Sequence, residues 1–224
     1  MTELILGNLN YSSWSIRAAL VARASGLQIK ETIVPLGFDE TRETLIAKTG
    51  FHTVPVLIDG DLQIRDSLAI TEWIAEKADE GGVWPTDPEK RALARSVVAE
   101  MHSGFIQIRS KMGVDIRSSK PTPEIAGALE AELNRVLDLW TTCRSRYGKD
   151  GAFLFGDWSA ADAFYAPVVT RFRTYGYGLS GLAADYADAV WESNLLQALR
   201  AQAEAEPWEI ELGELGPVRA WIRA

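Results

Sequence analysis

The segment "GNLNYSSWSIRAAL" (residues 7–20) gathers Tyr11, Ser12, Ser13, Trp14, Ser15 and Arg17 where a short apolar strand gives way to a helix. Leu4, Ile5 and Leu6 read as the strand, and Trp14, Ala18, Val21 and Ala22 recur at helical spacing. A loop between a strand's carboxyl end and a helix's amino end presents unpaired N–H groups and the positive end of the helix dipole. It is a seat for anions and polar ligands. The hydroxyls have a structural use there as well: Ser12, Ser13 or Ser15 can cap the helix by accepting an orphan N–H.

Four other stretches carry residue types of interest. In "HTVPVL" (52–57) Pro55 opens a buried strand, which removes a ladder donor and assigns it to an edge or a special turn. In "RDSLAI" (65–70) Asp66 or Ser67 can cap a helix. "FLFGDWSAADAF" (153–164) contains Ser159 and Asp162 in a Ser-x-x-Asp capping box that follows Gly156. "EMHSGFIQIRSKM" (100–112) sets His102, Phe105, Ile106 and Arg109 near one helical face, and Tyr175 and Tyr177 follow the next helix.

The elements that position these residues fall into two groups. Residues 1–78 read as β-α-β-α-β-β-α: strand 4–6, a helix over 14–25 stopped by Gly26, strand "LQIKETIV", a short helix near 42–48, and "VPVLIDGDLQIR" as a hairpin around Asp59-Gly60. The helix "DSLAITEWIAEKA" closes this group, which amounts to a small mixed sheet with helices on its faces. Residues 79–88, "DEGGVWPTDP", form a Gly/Pro-rich linker. From Glu89 to the end, residues 89–224 show no strand pattern. Helical patterns run over 89–112 and 124–147, from Ser159 onward and over 182–205, and residues 207–224 read as loop with a short helical end.

Composition excludes several classes. The 224 residues are 47% hydrophobic and 24% charged, an ordinary globular balance able to bury a core. A net charge of −8 argues against nucleic acid or an anionic membrane surface as partner. Cys143 is the only cysteine, which rules out an internal disulfide and a cysteine-based zinc site. His52 and His102 have no metal-ligand spacing, so no metal is expected. "MTELILGNLN" is acidic and too short in its apolar run for a signal peptide, and no window reaches the ~18 apolar residues of a membrane span. The expected location is a reducing cytoplasm.

Taken together, the β-α-β-α-β-β-α half, "TVPVL", the acidic-Ser pair and the helical half resemble the cytosolic glutathione transferases over essentially the whole chain. The resemblance implies a thioredoxin-like α/β domain followed by an all-α domain, glutathione as co-substrate, no metal, and a homodimer joined through the helical half. It implies a cis bond before Pro55, with Val54 offering its backbone N–H and C=O to glutathione. Asp66, one methylene shorter than the commoner Glu or Gln, would face the γ-glutamyl ammonium. The hydroxyl and N–H of Ser67 would face the α-carboxylate. His52 and Thr53 stand where the family meets the glycyl carboxylate, with Arg42 and Lys48 as further candidates. "SSWSIR" is similar to the zeta-class Ser-Ser-Cys-Ser-x-Arg pattern, with Trp14 in place of the cysteine. On that alignment Ser12 meets the glutathione sulfur, with Ser13 as the alternative and Tyr11 ranked lower. Trp14 would pack against the helical half and Arg17 would pair with an acidic side chain. The second-substrate site would lie between the halves, near Tyr11, Trp14, His102, Phe105 and Arg109.

Hydroxyls and a helix start suffice for the chemistry this implies. A free thiol of pKa ~8.5 is about 3% thiolate at pH 7, and lowering it by ~2 units takes roughly 2.7 kcal/mol of preference for the anion. A hydrogen bond to a charged group supplies ~1.5–3 kcal/mol and a helix N-terminus ~0.3–1. The expected reaction is thiolate attack on an apolar or aromatic electrophile, with detoxification as its use. Alternatives are a glutathione-dependent isomerase of the maleylacetoacetate type, or a binding module or ligandin without turnover.

Overall fold

Apolar side chains alternate along the first strand: Leu4 and Leu6 belong to one core and Ile5 to another, as the two-residue period of a strand requires. The structure, a computed structural model, describes residues 1–79 and 82–210. Its order is β1 (Glu3–Leu6), α1 (Ser13–Ala24), β2 (Lys30–Ile33), α2 (Thr41–Thr49), β3 (Val56–Asp59), β4 (Leu62–Arg65), α3 (Ser67–Lys77), α4 (Pro88–Ser103), α5 (Ile106–Lys111), α6 (Gly127–Tyr147), α7 (Ala160–Thr174), α8 (Gly181–Trp191) and α9 (Asn194–Ala205). The sheet order is β2-β1-β3-β4, with β2 parallel to β1 and the other pairs antiparallel. This is the α/β half followed by a helical half that the residue patterns predict.

One sheet face, with Leu4, Leu6 and Leu57, shares a continuous core with α1, α3 and the helical half. The other face, with Ile5 and Val56, is covered by Leu45 of α2. Helix α1 packs on α3, α7 and α9. All of α7 except Arg173 is buried, so α7 is the axis of the helical half.

The structure corrects the expected elements at several points. The strand over residues 27–34 is limited to Lys30–Ile33. The hairpin pairs Asp59 with Leu62, so its turn residues are Gly60 and Asp61, with Gly60 at φ 61°. The single helix over 89–112 is two. α4 ends at Ser103 because Gly104 passes so close to the preceding turn that a Cβ would sit 2.9 Å from the Glu100 carbonyl oxygen. Phe105 then turns the chain at φ 61° with its ring buried, and α5 departs in a new direction. Helix α6 starts at Gly127 rather than 124, and 182–205 divides at Glu192–Ser193. Residues 206–210 are irregular; residues 211–224, and linker residues 80 and 81, lie outside the described residues.

The Ser-x-x-Asp box forms at the start of α7. Asp162 Oδ2 accepts the Ser159 N–H (2.8 Å) and hydroxyl (3.1 Å), while Oδ1 accepts the Leu154 N–H (3.1 Å). One buried carboxylate thus caps α7 and ties down the preceding loop. Asp162→Ala is expected to lower the unfolding free energy by about 2–4 kcal/mol, a lost cap plus orphaned buried donors, and Asp162→Asn by less. Urea unfolding of both variants checks this.

Candidate active site

The turn Asn8–Ser12 delivers the chain into α1. The Asn8 carbonyl accepts the N–H groups of Tyr11 (3.2 Å) and Ser12 (2.9 Å), which closes the turn. Ser12 is the N-cap: its Oγ accepts the Ser15 N–H at 3.2 Å. The Ser12 hydroxyl lies 3.0 Å from Ser15 Oγ and donates to it, and Ser15 Oγ accepts the Gly7 N–H at 2.8 Å. Ser13 is buried, and its hydroxyl has no hydrogen-bond partner among the described residues. The N–H groups of Ser13 and Trp14 are likewise without partners there. The first turn of α1 therefore retains two N–H groups and at least one hydroxyl for an incoming anion.

A second set of open donors stands at the start of α3, on a helix packed against α1. Asp66, at φ 80°, caps α3 by accepting the Leu68 (2.8 Å) and Ala69 (3.4 Å) N–H groups on Oδ1. Its Oδ2 lies 3.2 Å from His102 Nε2 on α4. Beside it, buried Ser67 has neither its Oγ nor its N–H bonded among the described residues. The Val54–Pro55 bond is cis, and the Val54 N–H and C=O pair with no other backbone group described. Pro55 is buried, whereas His52, Thr53, Arg42 and Lys48 are exposed.

Between the two halves the partly exposed Trp14 ring gathers three cationic or aromatic partners. Arg17 and Arg109 each place their guanidinium carbon 4.7 Å from its centroid, and the His102 ring meets it edge-on at 5.3 Å. Phe164 of α7 lies 5.1 Å from the Arg17 guanidinium. Arg109 also donates to the carbonyls of Gly104 (2.9 Å) and Met101. Arg17 is fully buried, and none of its three guanidinium nitrogens has a partner among the described residues. Burial, then repulsion from Arg109 and Arg171, holds its pKa well below the ordinary arginine range. The expected acidic partner of Arg17 is thus replaced by two aromatic rings. A buried guanidinium without a counter-charge is expensive, and the faces of Trp14 and Phe164 supply part of the compensation here.

The family "Glutathione S-transferase, N-terminal domain" matches residues 6–82, and "Glutathione S-transferase, C-terminal domain" matches residues 123–224. Glutathione S-transferase 1 of Dianthus caryophyllus is 30% identical over 189 residues, 79% of each chain. The chain belongs to the cytosolic glutathione S-transferase family. A glutathione S-transferase of Hyoscyamus muticus is 37% identical over 141 residues, 58% of this chain and 64% of that one. Among solved structures, a maleyl pyruvate isomerase described as a bacterial zeta-class member superposes with a TM-score of 0.68 at 22% identity, covering 92% of this chain and 98% of that one. A glutathione transferase homologue from Burkholderia with bound glutathione gives 0.66 at 21%, covering 91% and 98%.

Within this family member the predicted residues separate into groups. Ser12 and Ser13 lie together at the start of α1, and Asp66 and Ser67 at that of α3. Trp14, His102 and Arg109 form one cluster, but Phe105 is a buried hinge in the core beneath α5. Tyr177 packs on Phe172 in the last turns of α7, 4.8 Å between centroids. The Tyr11 hydroxyl is engaged by Arg117 Nη2 (3.1 Å) and the Ile210 N–H (3.3 Å). Sequence reasoning did not single out Asn8, Asn10, Asp115, Arg117 or Glu206, which brace the turn before Ser12. The two asparagines in a loop flanked by apolar residues were the only available signal.

Burial lowers the His102 pKa, with Asp66 opposing and Arg17 and Arg109 reinforcing. The folded chain therefore binds this proton less readily than the unfolded chain, whose histidine titrates near ~6.5. Its contribution to stability is complete above that pH and is lost as pH falls through the window below it. His102→Gln should flatten the fall in urea midpoint between pH 7.5 and pH 5.5; an unchanged slope would remove His102 as its source.

Proposed function

We propose that this protein is a glutathione transferase that holds glutathione along Val54, Asp66 and Ser67. A serine hydroxyl at the start of α1 then helps to ionise the thiol for attack on an electrophilic co-substrate. The observation that carries this reading is that two helices packed together, α1 and α3, both begin with N–H donors lacking partners among the described residues, each start bearing a serine hydroxyl beside them. Glutathione supplies a thiolate for one start and an α-carboxylate for the other. Residues 1–78 would form the glutathione domain and 89–224 the helical domain, joined by 79–88. The reading includes a cytoplasmic homodimer in a detoxifying role, and light scattering at micromolar concentration tests the dimer.

Ser12 can act while remaining the helix cap. Its Oγ accepts the Ser15 N–H, and its own proton now goes to Ser15 Oγ. Either hydroxyl of that pair can be the donor. If Ser15 Oγ–H turns to donate to Ser12 Oγ, the Ser12 O–H is free to donate a hydrogen bond to the sulfur, no bond is lost, and the thiol proton departs to solvent. The resulting charge-assisted bond, with the dipole of α1 behind it, lowers the thiol pKa. The sulfur then attacks the electrophilic carbon, and the leaving group departs with its electron pair.

Ser12→Ala is expected to raise the pKa of the bound thiol by about 1–2 units, the loss of one hydrogen bond to a charged group. Ser15→Ala should give a smaller rise and Ser13→Ala almost none. Ultraviolet titration of bound thiolate reads all three, and a larger effect in Ser13→Ala would move the role to that residue. Ser67→Ala should raise KM for glutathione roughly tenfold or more with little change in kcat.

The orphan guanidinium of Arg17 favours a second reading, a co-substrate bearing carboxylates, as in an isomerase of the maleylacetoacetate type. On this reading Arg17→Met weakens competitive inhibition by maleate at least about tenfold, while turnover of a neutral aryl halide is preserved. Equal inhibition of both enzymes would leave only the apolar co-substrate.

A further inference from the structure

The chain beyond α9 returns to the loop that precedes Ser12. Glu206, the C-cap residue of α9, is buried. Its carboxylate spans two consecutive backbone donors: Oε1 accepts the Leu9 N–H at 2.7 Å and Oε2 accepts the Asn10 N–H at 3.2 Å. Arg117 secures the same segment, donating from Nη1 to the Glu206 carbonyl (2.7 Å) and from Nη2 to the Trp208 carbonyl (2.7 Å) and the Tyr11 hydroxyl (3.1 Å). The far side of the loop is held as well. Asn10 Oδ1 accepts the Arg117 N–H (3.0 Å) and Asn10 Nδ2 donates to Asp115 Oδ1 (2.9 Å). Ile210 ends the described segment with its N–H on the Tyr11 hydroxyl and its side chain over Gly37, where a Cβ would lie 3.1 Å away.

Nothing else described satisfies the Leu9 and Asn10 N–H groups. Without Glu206 the turn would bury two unpaired donors, each worth about 1–3 kcal/mol of lost solvation, and would relax to find other acceptors. The next residues in the chain are Tyr11 and Ser12, whose N–H groups are held only by the Asn8 carbonyl.

We infer that Glu206 is a positioning residue for the reaction: by clasping the Leu9 and Asn10 N–H groups it sets the turn that aims the Ser12 hydroxyl. This rests on the reading of Ser12 as the thiol's donor. Glu206 touches neither substrate nor reacting atom. Its effect reaches the thiol only through the backbone of residues 9–12, so it falls on ionisation rather than on capture of the glutathione backbone at Ser67.

The test compares wild type, Glu206→Gln and Glu206→Ala in the full chain. Glutamine keeps the shape but presents one acceptor where the loop offers two donors, and it serves if the alanine variant fails to fold. Three quantities are read: the pKa of glutathione thiol in the complex by ultraviolet titration, KM for glutathione, and hydrogen exchange at Leu9 and Asn10. The expected result is a bound-thiol pKa raised by about one unit in Glu206→Gln, a tenfold smaller ionisation constant. Exchange at the two amides should be at least tenfold faster, while KM measured above pH 9 stays within twofold. The deficit in kcat should shrink as pH rises and the thiol ionises unaided. Wild-type ionisation with an unchanged thiol pKa in both folded variants would overturn the inference and leave Ser12 in its role. Absence of ionisation in wild type itself would overturn the underlying reading together with the inference.

Discussion

Helix α1 meets two demands that oppose each other. Its body is buried against α3, α7 and α9, yet its first turn leaves the Ser13 and Trp14 N–H groups unpaired among the described residues. Burial alone would favour a sealed helix start, because unpaired N–H groups in an apolar setting are costly. The conflict is resolved by dividing the turn. Ser12 caps the Ser15 N–H, Asn8 closes the approach, and the two remaining donors stay open. Nearly every other feature of the site serves this division: the buried asparagines fix the loop's entry, and the Trp14 ring covers the side toward the helical half.

Much of this arrangement is legible in the residues. Short apolar runs, one period-two segment and a turn dipeptide identify the strands, and capping chemistry marks the starts of α1, α3 and α7 to within a residue or two, where the structure selects Ser12, Asp66 and the Ser159–Asp162 box. The break between α4 and α5 is harder to read, because Gly104 and Phe105 interrupt an apolar periodicity that continues across them. It is decided by the contact of Gly104 with the Glu100 carbonyl and the burial of Phe105, both tertiary facts.

The partners of charged residues are less legible still. Arg17 follows a serine-rich turn and invites a carboxylate partner, but the fold gives it Trp14 and Phe164. Glu206 is not singled out by any sequence pattern, yet it is buried and lies 196 or more positions from the N–H groups it accepts. No local pattern encodes such a pairing, because it depends on where α9 ends relative to β1. In a chain of net charge −8, the fully buried Arg17 thus lies at the seam between the halves with two aromatic rings in place of a carboxylate.

That seam also bears on how such a chain can change over generations. The large core runs without interruption from Leu4 and Leu6 of the sheet through α1 into α7, and Trp14 and Arg17 reach across to His102, Arg109 and Phe164. Neither half presents a finished surface to the other; each completes the interior of its neighbour. Recombination that exchanged the helical half for a distant relative's would join mismatched interiors and strand a guanidinium. The heritable unit is therefore the pair, and divergence at the seam has to proceed by matched changes on both sides.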